Sequence, residues 1–182
     1  MRLHPYIGAI VKNRSFTFIY GPPGSGKTRL GLEVARIAES LGYGVSVIAT
    51  EAGTSLAYRS LGEAVSTALS IDDMVMKVVR GALRGEYVIV DTVNSYYRDS
   101  PSYESRGLLA LASAMMRLSG GLALGQVSFD EQTAPGAAAV EKYALVTGMT
   151  RRLHEGKYLL EIVKPSRKLL VYEIRGEEVL WL

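Results

Sequence analysis

Hydrophobic positions in this chain fall into short blocks whose spacing alternates between two periods. Residues 15–20, SFTFIY, are a β-branched and aromatic run cut off by Gly-Pro-Pro-Gly, which predicts a buried strand stopped by a turn. The next block, KTRLGLEVARIAESL (27–41), instead places Leu30, Val34, Ile37, Ala38 and Leu41 at helical spacing, with Gly42 at the stop position. GVSVIAT (44–50) reads as a second buried strand. Residues 55–84 read as helix in two pieces, with Asp72 and Asp73 near the start of the second, where carboxylates suit the positive helix end.

YVIVD (87–91) is almost continuously apolar, as parallel strands covered on both faces are. RGLLALASAMMRLSGG (106–121) predicts a helix ended by two glycines, and LALGQV (122–127) a further strand. The last third changes character: ALVTGMTRRL, YLLEIV, KLLVYEI and EEVLWL are strand-like runs separated by HEGK, KPSR and a short polar gap, an antiparallel meander. The expected fold is α/β, a mainly parallel twisted sheet flanked by helices with an antiparallel C-terminal meander, in one domain over residues 1–182. No internal repeat, low-complexity segment or linker interrupts it.

Composition narrows the chemistry. The chain has no cysteine, which excludes disulfides and thiolate metal sites, and His4 and His154 leave little for zinc or a histidine-based triad. The longest apolar runs fall well short of the roughly 20 residues of a membrane span, so the expectation is a cytoplasmic protein without membrane contact. Only two Asn and two Gln occur, a depletion of thermolabile residues seen in thermophile proteins. Net charge is +3 but uneven. The first 30 residues carry five Lys/Arg and no acid, residues 31–150 nine bases against thirteen acids, and residues 151–182 seven against five. An anionic partner would meet the ends rather than the middle.

The strongest local signal is GPPGSGKT at 21–28, which satisfies GxxxxGK[ST] between an expected strand and an expected helix. In that motif, glycines let backbone N–H groups wrap phosphates, the lysine reaches the β- and γ-phosphates, and the last hydroxyl ligates magnesium. The implied ATP-holding residues are Gly21, Pro22, Pro23, Gly24, Ser25, Gly26, Lys27, Thr28 and the following Arg29, with Thr28 on Mg²⁺. Asp91, ending the most apolar strand, is placed to hold the magnesium through water; a strand-ending aspartate also commonly caps the next segment. On position alone, Glu51 fits equally a carboxylate that orients water for hydrolysis and a solvent-facing loop glutamate.

The phosphate-binding motif, the strand ending in Thr50-Glu51, the stretch VIVDTVNSYYR (88–98) and a later strand ending in Gln126 together resemble the RecA-type recombinases, especially archaeal RadA and RadB proteins, over about residues 15–175. The resemblance implies a RecA-like P-loop NTPase, an ATP-binding and slowly ATP-hydrolysing paralogue with an accessory role in DNA recombination or repair. It makes Glu51 the catalytic glutamate that activates water, with Lys27 at the γ-phosphate, Gln126 the residue that senses the γ-phosphate and passes its state to the following loop, and Asp91 the magnesium support. Gln126 also suits a sheet-edge amide satisfied by backbone. Tyr58 matches an adenine-stacking position and fits equally a core tyrosine. Lys164 and Arg167, in VKPSRK, match a basic cluster that reaches a neighbouring subunit's nucleotide, or a solvated turn.

The chain also departs from that family. About 14 residues precede its first strand, and no Phe-x-x-Ala polymerisation motif is present, so homo-oligomerisation by that route is not supported. The two expected DNA loops are 98–106 and 128–140. The first offers Tyr96, Tyr97 and Tyr103 with Arg98 and Arg106, offset by Asp99 and Glu104; the second offers Asp130 and Glu131 and no base. Such loops imply weak, salt-sensitive binding of single-stranded DNA. The RecA-type reading makes a recombinase the partner; a second expectation is an ATP-dependent regulatory or assembly module, resembling KaiC-like relatives, that acts on another protein partner without handling DNA.

Overall fold

A computed structural model describes residues 4–128, 134–154 and 156–182. Among the described residues, nine strands form one sheet in the order β3-β2-β4-β5-β1-β6-β7-β8-β9. Strands β1 (Thr17–Gly21), β2 (Val45–Ala49), β3 (Val65–Thr67), β4 (Tyr87–Asp91), β5 (Gly121–Gln126) and β6 (Val146–His154) run parallel. Strands β7 (Lys157–Lys164), β8 (Lys168–Arg175) and β9 (Glu178–Trp181) then continue from β6 antiparallel. The α/β class, the mainly parallel sheet and the antiparallel C-terminal meander are as the hydrophobic pattern predicts.

Helices cover both faces. On one side α1 (Pro5–Lys12) and α2 (Lys27–Ser40) bury Ile7, Val11, Leu30, Ile37 and Ala38 against Ile19, Ile89 and Leu124. On the other, α4 (Ile71–Leu83) and α6 (Tyr103–Ser119) bury Met74, Val78, Leu109 and Met116 against Phe18, Val88 and Val90. Every residue of β4 is buried, which explains its unbroken apolar sequence. No helix among the described residues is long and apolar enough to cross a membrane.

The segment 55–84 differs from the expected pair of helices. It holds the short α3 (Thr54–Ala57), a 3₁₀ turn at Arg59–Ala64, the edge strand β3 and only then α4. Three residues are too few to show alternation, so β3 is recognisable only from its pairing with β2. The segment 98–106, expected as a loop, is also largely helical: α5 (Ser95–Asp99) runs into its first two residues, and α6 begins at Tyr103. Ser102 and Ser105 cap α6 reciprocally, each side chain accepting from the other's backbone N–H, which moves its start three residues ahead of the apolar periodicity. Residues 137–140 of the second expected loop belong to α7 (Ala137–Glu141), whose Ala139 and Val140 are buried while Ala138 is exposed. Asp130 and Glu131 lie outside the described residues.

Strand register gathers the chemistry-bearing positions at one edge. Gly21 pairs with Gln126, Ala49 with Asp91, and Asp91 with Leu124, so all the parallel strands deliver their carboxyl ends to the same side.

Candidate functional site

The GPPGSGKT loop joins β1 to α2 as its motif requires. Gly24 and Gly26 have φ of 72° and 85°, in the left-handed region that side chains disfavour. Gly26 is also crowded: a Cβ there would stand 2.9 Å from the Tyr172 hydroxyl and 3.1 Å from Ile174. The C-terminal meander thus forms one wall of the loop. Tyr172 donates to Ser25 O at 3.3 Å, and the Ser25 hydroxyl shares a 2.8 Å hydrogen bond with that of Thr150 on β6. Tyr172 is in turn stacked on Tyr158 and packed against Trp181, with ring centroids 5.4 and 5.2 Å away.

Lys27 is turned into its own loop. Nζ donates to Gly21 O and Pro22 O, each at 2.8 Å, and the residue is buried. Burial pushes its pKa down to about 8, opposed by the charges of Asp91 and Glu51 and reinforced by that of Arg98. These four groups therefore form one electrostatic cluster of two cations and two carboxylates.

Asp91 is 2% exposed and accepts hydrogen bonds from Tyr58, at 2.9 Å, and from Thr92. Burial raises its pKa in spite of these donors and of the nearby Thr28 hydroxyl. Thr28 thus lies beside Asp91, the other residue that sequence reasoning assigned to the magnesium ion. Of the two readings of Tyr58, the core tyrosine describes its place in the fold. It is fully buried, and its hydroxyl is committed to Asp91, so the ring offers no face for stacking on a base. Gly31 permits this approach, since a Cβ at that position of α2 would collide with the Tyr58 hydroxyl.

Beyond β2 and β4 the chain is stapled. Thr50 N donates to Asp91 O at 2.9 Å, and the Thr50 hydroxyl both donates to Thr92 O and accepts from Thr92 N. The next residue, Glu51, faces Arg98 of α5, Oε1 to Nη1 3.5 Å. Arg98, counted in the sequence as DNA-loop charge, is thus brought to the site. Asn94 was missed altogether. Its Nδ2 donates to Gln126 O and Pro135 O, and its Oδ1 accepts from Gln126 N, pinning the end of β5 and the returning loop together. Only its membership of the VIVDTVNSYYR stretch could have singled it out.

Two cavities flank the loop. One of about 520 Å³ is lined by Pro22, Pro23, Arg98, Asp99, Gln126, Val127, Ser128 and Pro135, which puts Gln126 across from the start of the loop. The other, about 390 Å³, lies between Gly24–Arg29 and the meander residues Tyr158, Ile174 and Gly176. Arg29 lines it, and its buried Nη1 makes no hydrogen bond with a described residue.

Lys164 and Arg167 have partners within the chain. Lys164 Nζ donates to Ala144 O at 2.6 Å, and Arg167 pairs with Glu161, which also holds Arg151. Lys164 thus ties the end of β7 to the segment before β6, and the solvated-turn reading describes both residues better than an outstretched cationic pair. Among the described residues no group of three or more His, Asp or Glu is arranged to hold a metal alone.

The sequence matches no protein-family model and no curated protein.

Proposed function

We propose that this chain binds ATP with Mg²⁺ and hydrolyses it slowly, as a RecA-type ATPase core assisting a recombinase or another protein. The observation that carries the reading is the convergence of Lys27, Asp91 and Glu51, with Thr28 beside Asp91, at the carboxyl edge of a parallel sheet. The placement of β1 between β5 and β6, with its glycine loop at that edge, supports a RecA-like P-loop arrangement.

The residues present fit the two ligands. Gly24 and Gly26 adopt the backbone that lets successive N–H groups face an anion, and Arg29, Glu51 and Arg98 each hold a buried polar atom without a hydrogen bond. Lys27 would bind phosphate oxygens by leaving the carbonyls of Gly21 and Pro22. Thr28 and Asp91 would hold Mg²⁺, which supplies charge neutralisation at the phosphates when bound. Glu51 would accept a proton from, and orient, the attacking water. Gln126 lies across the 520 Å³ cavity from the loop, where a γ-phosphate sensor belongs.

The partner is more consistent with protein than with DNA. A groove of about 370 Å³ at the first expected DNA loop is lined by Asp72, Asp99 and Glu104 and by no base. Phosphate backbones would be repelled there.

The test is Mg²⁺-dependent ATPase activity measured with and without single-stranded DNA at low salt, across protein concentrations. Lys27→Ala is expected to abolish most ATP binding, and Glu51→Gln to keep binding while losing turnover. Normal turnover by the Glu51→Gln protein would sink the catalytic assignment. Strong stimulation by single-stranded DNA would return the partner assignment to nucleic acid.

A further inference from the structure

Arg98 sits in a segment whose sequence suggests contact with DNA, yet its guanidinium faces inward. Its Nη1 and Glu51 Oε1 are 3.5 Å apart and both are shut off from solvent. Neither atom makes a hydrogen bond with a described residue. The side chains as wholes are 25% and 33% exposed, so the pair lies at the rim of the site rather than on the open surface.

Two features make this more than a surface ion pair. Arg98 is delivered from a fixed base: its N–H donates to Asn94 O at 3.0 Å, and Asn94 is clamped to Gln126 and Pro135. Glu51, by contrast, follows β2 on a loop of small residues, Ala52 and Gly53, and would otherwise sample several rotamers. The separation matters as well. The guanidinium faces Oε1, the oxygen that solvent does not reach. Coulomb attraction across 3.5 Å therefore orients the carboxylate through Oε1 and leaves Oε2 as the oxygen that accepts a proton.

We propose that Arg98 is a positioning residue for Glu51, acting on hydrolysis only through that carboxylate. This rests on the hydrolytic reading above. General-base catalysis requires the acceptor within hydrogen-bond reach of water in a defined orientation, and small misplacements are felt strongly in rate. Losing the guanidinium would therefore lower kcat while leaving ATP affinity to the glycine loop.

The experiment combines ATP binding with steady-state and single-turnover hydrolysis for wild type, Arg98→Ala, Arg98→Lys, Glu51→Gln and the Arg98→Ala/Glu51→Gln pair. Arg98→Gln, which keeps length and polarity, replaces the alanine variant if that one is unstable. Expected are a kcat reduced about tenfold or more in Arg98→Ala, a KM changed by less than about twofold, and partial recovery in Arg98→Lys. In the Glu51→Gln background, removing Arg98 should have no further effect on the single-turnover rate. An equal loss in both backgrounds would mean that Arg98 acts on substrate directly and would overturn the proposal. So would a raised KM with unchanged kcat, or no effect at all. A wild-type protein that binds ATP without hydrolysing it would instead refute the hydrolytic reading, and this proposal with it.

Discussion

Lys27 is a cation folded into its own loop, and its protonation is coupled to stability. Its pKa is about 8 in the folded chain against an ordinary 10.5, so between these values the unfolded chain holds a proton that the folded chain has released. Stability contributed at this residue must then rise with pH across that window and be flat below it. Urea unfolding at pH 7, 8.5 and 10 should show the ligand-free protein gaining stability relative to Lys27→Met; parallel curves would rule the depressed pKa out. Asp91 has the opposite sign: its raised pKa means that ionisation above the ordinary carboxylate range opposes folding. Burial disfavours the charged form of both groups, as is common where charge serves a ligand. The glycine loop, Lys27, Thr28 and Asp91 were legible in the sequence because motif and strand context fix them locally. The contacts of Tyr58 and Arg98 were not, since they arise from the return of α3 and α5 to the sheet edge, which no spacing encodes.

Among the elements, the start of α5 is tied to the end of β5 by the Asn94 side chain. Asn94 satisfies the backbone N–H and C=O of Gln126 and the carbonyl of Pro135. Asn94→Ala leaves those groups unpaired in a half-buried setting and should destabilise the fold by about 1–3 kcal/mol. Hydrogen exchange at the Gln126 amide should accelerate beyond what global destabilisation explains, and an unchanged protection factor there would contradict the clamp. The long elements α2, β4, β5 and the meander follow from periodicity, whereas β3, α1 and the true start of α6 do not. β3 has three residues, and α1 is set by the His4 side chain accepting from Tyr6 N with Pro5 at the first helical position. The α6 boundary is set by two serines outside the apolar pattern. Short or cap-determined features depend on a few hydrogen bonds, which hydrophobic spacing does not register.

Across the whole molecule, the meander is more than an extension of the sheet. Gly26 lies under Tyr158, Tyr172 and Ile174, and Ser25 is bonded to Thr150 and Tyr172, so residues 150–174 hold residues 21–28 in shape. β1 itself is paired on one side by β5 and on the other by β6. The order in which a ribosome releases these segments is therefore the reverse of their structural dependence. The phosphate-binding motif emerges first and waits for more than a hundred residues before its strand neighbours and its wall exist, a long loop to close before any contact rewards it. A nascent chain stopped after β6 should keep residues 21–28 open to protease, and addition of β7–β9 should close them; equal protection in both would refute this. On the proposed ATP-binding reading, an emerging polypeptide would then draw nothing from the cell's ATP pool until β7–β9 have followed the glycine loop out.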